Sequence, residues 1–423
     1  LMDDRGPYLY KVTEYGRRWT NITGDLPSGH PLDYALSLAE NPNREGMLFA
    51  GTGHGFYYTM DDGTHWIQLQ DALPAVPVTW IVVEPRYHDL VISTYGRGLF
   101  LLRDITRLEQ ADQVPAGAEA YLFLPRPGFR QARSGSSEFL FSLASAPPGP
   151  VTFEILDGAG AVIRTFDVQG RPGLNTTAWD LQYAGPAQVE LRTIPPYNPH
   201  IWEEARFLDE ETRPIVHWGI NGPRRQGPIA PPGEYTVRMT VDGQSQTRLF
   251  TVLKDPAITT STEDMVASTR VQVRIRDGMN RTVDMINRLE IMRKQIEDLQ
   301  AAHAADEAAL GALAELGQKM FDAELHFLST TEMHSDDKWY VEAYKVYMQY
   351  VWLSGEVALG AGDVQGGAEY RPTDAAVEWL ANIESELAEG AQAFQAIING
   401  EVPAFNQRWS GTLPEIVVPP TSL

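Results

Sequence analysis

Apolar and polar residues alternate singly along Tyr235–Val241 (YTVRMTV) and less regularly along Thr247–Val252 (TRLFTV), with Asp242-Gly243 between them. Strict alternation predicts half-buried strands, and an Asp-Gly pair between two such runs predicts a tight hairpin. The stretch from Glu138 to Val168 repeats the pattern around a glycine-rich turn at 157–160. Earlier, YALSLAENP (34–42), VTWIVVEP (78–85), MLFAGTGHGFYYT (47–59) and DLVISTYGRGLFLL (89–102) read as short strands. The last two are broken by Gly53-His54-Gly55 and Gly96-Arg97-Gly98. After residue 260 the period changes. Apolar residues fall at 275, 279, 283, 286, 289, 292, 296 and 299, the spacing of one helix face. Ser261, three residues before Asp264, supplies an N-cap. Further helices are predicted over 305–328, 336–359 and 373–399, the last entered near Pro372. The chain is therefore expected to be multidomain, mainly β and then α.

The β part repeats. Gly16 and Gly63, Trp19 and Trp66, and Leu26-Pro27 and Leu73-Pro74 are each separated by 47 residues. A fixed period of this size is the mark of a repeat architecture. In the second copy, Thr59-Met60-Asp61-Asp62-Gly63-Thr64-His65-Trp66 offers an acid that can accept bonds from its own turn, a glycine for positive φ, and a tryptophan opening the next strand. The first copy keeps the acid as Glu14 but has Val12 where the second has Thr59.

Residues 59–66 resemble the Asp-box, Ser/Thr-x-Asp-x-Gly-x-x-Trp, of sialidase-like and sortilin-like β-propellers. STYGRGLFLLRDITRL (93–108) resembles the closing blade of large bacterial BNR-repeat proteins of the sortilin-like type. PGEYTVRMTVDG and NTTAWDL resemble the Ig-like or fibronectin-type domain that follows such propellers, and the helices with VPAFNQ (402–407) resemble the C-terminal part of the same proteins. The resemblance implies two terminal propeller blades over 1–105, a linker over 106–135, an Ig-like β-sandwich over 136–256 with a long insertion at 184–232, an antiparallel four-helix bundle over 257–410, and a tail over 411–423. It implies an extracytoplasmic location, secreted, periplasmic or on the cell surface. It also implies that Thr59, Asp61, Gly63 and Trp66, with Glu14, Gly16 and Trp19, build turns and do no chemistry. Two blades bury their faces only on neighbours, so this chain is expected to be the C-terminal portion of a longer protein, with further blades as partners.

Composition narrows the partners. Lys and Arg total 34 against 56 Asp and Glu, and residues 256–423 alone hold 12 against 26. So acidic a chain repels nucleic acid and anionic lipid, and no apolar run is long enough to span a bilayer. The absence of cysteine excludes disulfides, thiolate metal sites and a cysteine nucleophile.

Candidate chemistry is sparse. Tyr95 and Arg97 stand where they could face a propeller channel; Arg97 is expected to pair with an acid instead. The insertion carries His200, Trp202, His217, Trp218, Arg224 and Arg225. A long loop of weak periodicity is often functional. Its histidines lack the spacing of a zinc helix, so it is expected to be an interface lying on the propeller or a partner, with both tryptophans buried. No metal or cofactor is indicated. Two functions remain open: a non-catalytic scaffold making protein or glycan contacts, or the C-terminal part of a glycosidase-like hydrolase whose catalytic residues lie on other blades.

Overall fold

A computed structural model describes residues 4–69, 73–131, 135–215, 226–334, 342–359 and 370–421. The chain is mixed β and α, with several sheets followed by a C-terminal helical region, and no sheet closes into a barrel among the described residues. It forms two compact units. The first comprises Leu1–Arg130, Ser134–Asp180 and Gly233–Leu253; the second comprises Gln131–Arg133, Leu181–Pro232 and Lys254–Leu423.

The first unit opens with the hairpin β1 (Tyr10–Thr13) and β2 (Arg18–Asn21). A four-stranded antiparallel meander follows: β3 (Ala35–Glu40), β4 (Leu48–Thr52), β5 (Phe56–Thr59) and β6 (Ile67–Gln68). Then comes a three-stranded one, β7 (Val78–Glu84), β8 (Asp89–Thr94) and β9 (Gly98–Leu102). Strand β4 is buried along its whole length. The period of two explains how one strand serves two cores. Leu48 and Ala50 pack with Leu9, Ile22, Leu26, Tyr57 and Trp66, while Met47 and Phe49 pack with Phe56, Val78, Ile81, Leu90 and Ile92. The β3–β6 sheet is thus covered on one side by the segments flanking the first hairpin and on the other by β7 and β8.

Residues 106–135, expected as a linker, supply the short helix α1 (Thr106–Glu109) and two strands, β10 (Ala120–Leu122) and β11 (Gly128–Arg130). These join β12 (Gly135–Leu143), β13 (Val151–Leu156), β14 (Val162–Val168), β15 (Gly173–Trp179), β16 (Gly233–Val241) and β17 (Gln244–Lys254) in an eight-stranded sheet. The backbone of a short extended run needs partners, and β10 and β11 find theirs on β12. Phe139 and Phe141 of β12 both contact the ring of Phe153 on β13, a strand that is not a ladder neighbour of β12. The sheet therefore packs on itself around an aromatic core that includes Trp179, Tyr235 and Phe250. The β16–β17 turn is the expected hairpin, with Asp242 at φ 48° and Gly243 at φ 80°.

The second unit is built on α2 (Thr262–Ala302), α3 (Glu307–Glu324), α4 (Thr330–Met333), α5 (Val346–Leu359), α6 (Asp374–Ala396) and α7 (Val402–Arg408). Ser261 caps α2, its hydroxyl accepting from Asp264 N at 3.1 Å. The predicted stripe of α2 is buried from Ile275 to Ile296 and shares a core with α3, α5 and α6. Of the helix expected over 336–359, residues 336–341 lie outside the described residues and α5 starts at Val346; Glu342, placed inside the helix by the sequence, instead bonds the first turn of α4 through Thr330 Oγ1 at 2.8 Å. Among the described residues no helix is long and apolar enough to cross a membrane.

Candidate functional site

The Asp61 turn is spent on itself. Thr59 Oγ1 donates to Asp61 Oδ1 at 2.8 Å and accepts from Gly63 N at 3.1 Å. His65 N donates to Asp61 Oδ1 at 2.9 Å, and the His65 ring meets Oδ2 at 2.7 Å. The His65 backbone N–H, then its ring, hold the Asp61 carboxyl down at about 2. Gly63 has φ 87°, and a Cβ there would stand 2.5 Å from the Ile22 carbonyl. Trp66 is buried, with its main-chain N–H on Asp25 Oδ1 at 2.6 Å. The first copy differs. Glu14 and Tyr15 both adopt positive φ, and Trp19 is 66% exposed. No hydrogen bond of the Glu14 carboxylate is present among the described residues. Thr59 organises the second turn, and Val12 at the matching place cannot.

Tyr95 and Arg97 lie on the β8–β9 turn, Arg97 between Gly96 and Gly98, and both are exposed. Arg97 has no ion pair among the described residues.

The described part of the insertion belongs to the helical unit and runs along α2. Ala187 N donates to Asn280 Oδ1 at 2.8 Å, Glu190 N to Asn287 Oδ1 at 2.8 Å, Thr193 N to Glu290 Oε2 at 2.8 Å and Ile194 N to Glu297 Oε1 at 3.0 Å. Arg192 N also reaches Glu290. Residues 280, 287, 290 and 297 recur at helical spacing, so one polar stripe of α2 takes up the main-chain donors of a segment whose strand pairing is limited to a single bridge, Leu191 with Arg213. Glu290, 1% exposed, further accepts from Thr193 Oγ1 at 2.7 Å and from Arg293 at 3.0 Å. Arg293 also grips Glu324, whose carboxyl burial pushes up to about 8 against that pull. Arg213, 1% exposed, bridges to Leu191 through main-chain bonds in both directions, each at 2.9 Å. Its guanidinium sits 5.7 Å from the centre of the Trp202 ring, and burial lowers its pKa to about 10.

On this frame opens a cavity of about 470 Å³ lined by Arg192, Ile194, Trp202, Glu210, Glu211, Lys294 and Glu297. Trp202 is half-buried, not buried as expected: Arg213 supports its ring while part of its surface lines the cavity. Burial raises the pKa of Glu297. His200 pairs with Glu203 at 3.0 Å, both exposed. His217, Trp218, Arg224 and Arg225 lie outside the described residues. Sequence reasoning found Trp202 and missed Arg192, Arg213, Glu290, Lys294 and Glu297. The readable signal was the polar stripe at 280, 287, 290 and 297.

No family model matches the chain, and no curated protein does either. Among solved structures, it is similar over 59% of its length to a chain described as the extracellular domain of a hybrid two-component system from B. thetaiotaomicron, at 8% identity and TM-score 0.20. A Salmonella alpha-2-macroglobulin mutant is similar over 51%, at 15% identity and TM-score 0.17. This chain spans 29% and 12% of those two chains respectively.

Proposed function

We propose that this chain is a non-catalytic, extracytoplasmic binding portion of a larger sortilin-like, BNR-repeat propeller protein, and that it holds a glycan or a polar polypeptide at the Trp202 cavity. The observation that carries the reading is the cavity itself. One supported aromatic surface is surrounded by two cations and three carboxylates. An apolar face with a few convergent polar groups is the usual make-up of a ligand site, and this ratio of charge to apolar surface suits a hydroxyl-rich or peptide ligand. The motif acid supports a non-catalytic role, because both Asp61 oxygens are engaged in their own turn. In this reading β1–β6 and β7–β9 are the last blades and the eight-stranded sheet is the Ig-like adaptor. Further blades as partners would cover the apolar side chains left exposed on the β-repeat: Tyr10, Trp19, Trp80 and Leu99.

The test is a glycan and peptide array probed with the full chain and with Trp202→Ala. A defined ligand class retained by the wild type and lost by the variant supports the proposal. Binding indifferent to Trp202, or no binding on either array, counts against it.

A further inference from the structure

Three residues that no functional reading above uses converge in the first unit: His30, Asp33 and His54. One donor atom from each lies within 4.8 Å of the others. Two loops bring them together. His30 and Asp33 flank a turn before β3 in which Asp33 N bonds His30 O at 3.0 Å and His30 N donates to Asp33 Oδ2 at 2.6 Å. His54 is the middle residue of the β4–β5 turn. Gly53 lets that turn approach, since a Cβ there would stand 2.6 Å from the Leu32 carbonyl. The imidazoles then sit 4.5 Å apart between centroids, and His54 Nδ1 lies 3.6 Å from Asp33 Oδ1.

The arrangement has the make-up of a first-row metal site and lacks that of a core histidine cluster. Asp33 is 2% exposed. A carboxylate so withdrawn from water needs a charge-compensating partner. His54 Nδ1 is 3.2 Å from the Leu32 carbonyl; donation to a main-chain oxygen would fix the tautomer and leave Nε2 with a lone pair, the usual outer support of a metal-bound imidazole. His30 is exposed, and its Nδ1 accepts from Leu32 N at 3.1 Å, a bond given up when that nitrogen takes a metal ion. Two imidazoles and one carboxylate favour zinc among common divalent ions. Ligation at about 2.0–2.2 Å requires the three donors, which lie within 4.8 Å of one another, to close in.

The geometry points to a zinc-class divalent cation site formed by His30, Asp33 and His54, which staples the loop before β3 to the β4–β5 turn and leaves at least one coordination position open to solvent. The spacing His30-x-x-Asp33 with His54 in a Gly-x-Gly turn has no sequence signature, because the ligands meet only through the β3–β4 pairing.

Zinc chloride titrated by calorimetry into the metal-stripped full chain tests this. One equivalent should bind, and His30→Ala and His54→Ala should each weaken binding at least about tenfold. His200→Ala, at an exposed histidine paired with Glu203, should leave it unchanged. His30 lies at the surface, so its variant keeps the fold, and a circular dichroism spectrum verifies this. No zinc uptake by the wild type, or equal uptake by His30→Ala and His54→Ala, overturns the site.

Discussion

The indole N–H of Trp66 donates to the main-chain carbonyl of Ile22 at 3.1 Å, across 44 residues of sequence. The bond ties the second turn to the segment that follows the first hairpin. It explains why Trp66 is buried while Trp19, whose own N–H reaches only Gly16 at 3.1 Å in an exposed setting, is not. Replacing Trp66 by Phe keeps an aromatic six-membered ring and removes the pyrrole half of the indole with its donor. The expected loss is about 1–2 kcal/mol in chemical denaturation, whereas Trp19→Phe should stay within about 0.5 kcal/mol. Equal effects would mean that the two copies are equivalent.

Asp61→Ala should lower stability by about 1 kcal/mol at neutral pH, a figure kept small because the turn is solvent-facing. The folded pKa is depressed from 3.8 to about 2. The contribution is therefore present above the unfolded value and is lost as pH falls through the folded one. Wild type and variant should converge as pH drops from about 4 to 2. A constant difference across that window would show that the effect is not that of the carboxylate.

Gly63→Ala should cost about 2–3 kcal/mol, since Gly63 combines φ 87° with a Cβ position 2.5 Å from Ile22 O and 2.8 Å from Ile22 Cβ. Gly16 has φ 91° with nothing within 4 Å. Gly16→Ala should therefore cost only the backbone share, about 1 kcal/mol. Thermal melts of the two variants separate close approach from conformation.

Glu332 closes the capping box of α4 with Ser329, and burial pushes its carboxyl from 4.5 up to about 8; Glu342 raises it further and Lys345 opposes. The neutral acid is thus favoured in the fold. Its contribution is complete below about pH 4.5 and is lost as pH rises through about 8. Wild-type stability should fall over that range. Glu332→Gln, which can still accept from Ser329 N, should flatten the decline. Denaturant midpoints at pH 5 and pH 8 check this, and identical slopes would contradict it.

How much of this was legible in the sequence follows from the range of each interaction. The α2 stripe, the Ser261 cap and the Asp242-Gly243 hairpin are local, set within a few residues, and all were readable. Residues 106–135 were not, because β10 and β11 are too short to show a period and exist only by pairing with β12. The cavity was half legible. Trp202 stands out as an aromatic in a long loop, but its support by Arg213 and the approach of Lys294 and Glu297 arise from chain separations that no local pattern encodes. The departure of the first turn from the second was visible as Val12 in place of Thr59, a single hydroxyl that orders three bonds.

The central claim is that Trp202 anchors a ligand that the chain binds and does not transform. The most direct measurement is a calorimetric titration of the best array ligand into wild type and Trp202→Ala, followed by mass spectrometry of the recovered ligand. The expected result is at least tenfold weaker binding by the variant, a circular dichroism spectrum matching that of the wild type, and ligand recovered intact. Equal affinity of the two proteins, or ligand recovered cleaved, would contradict it.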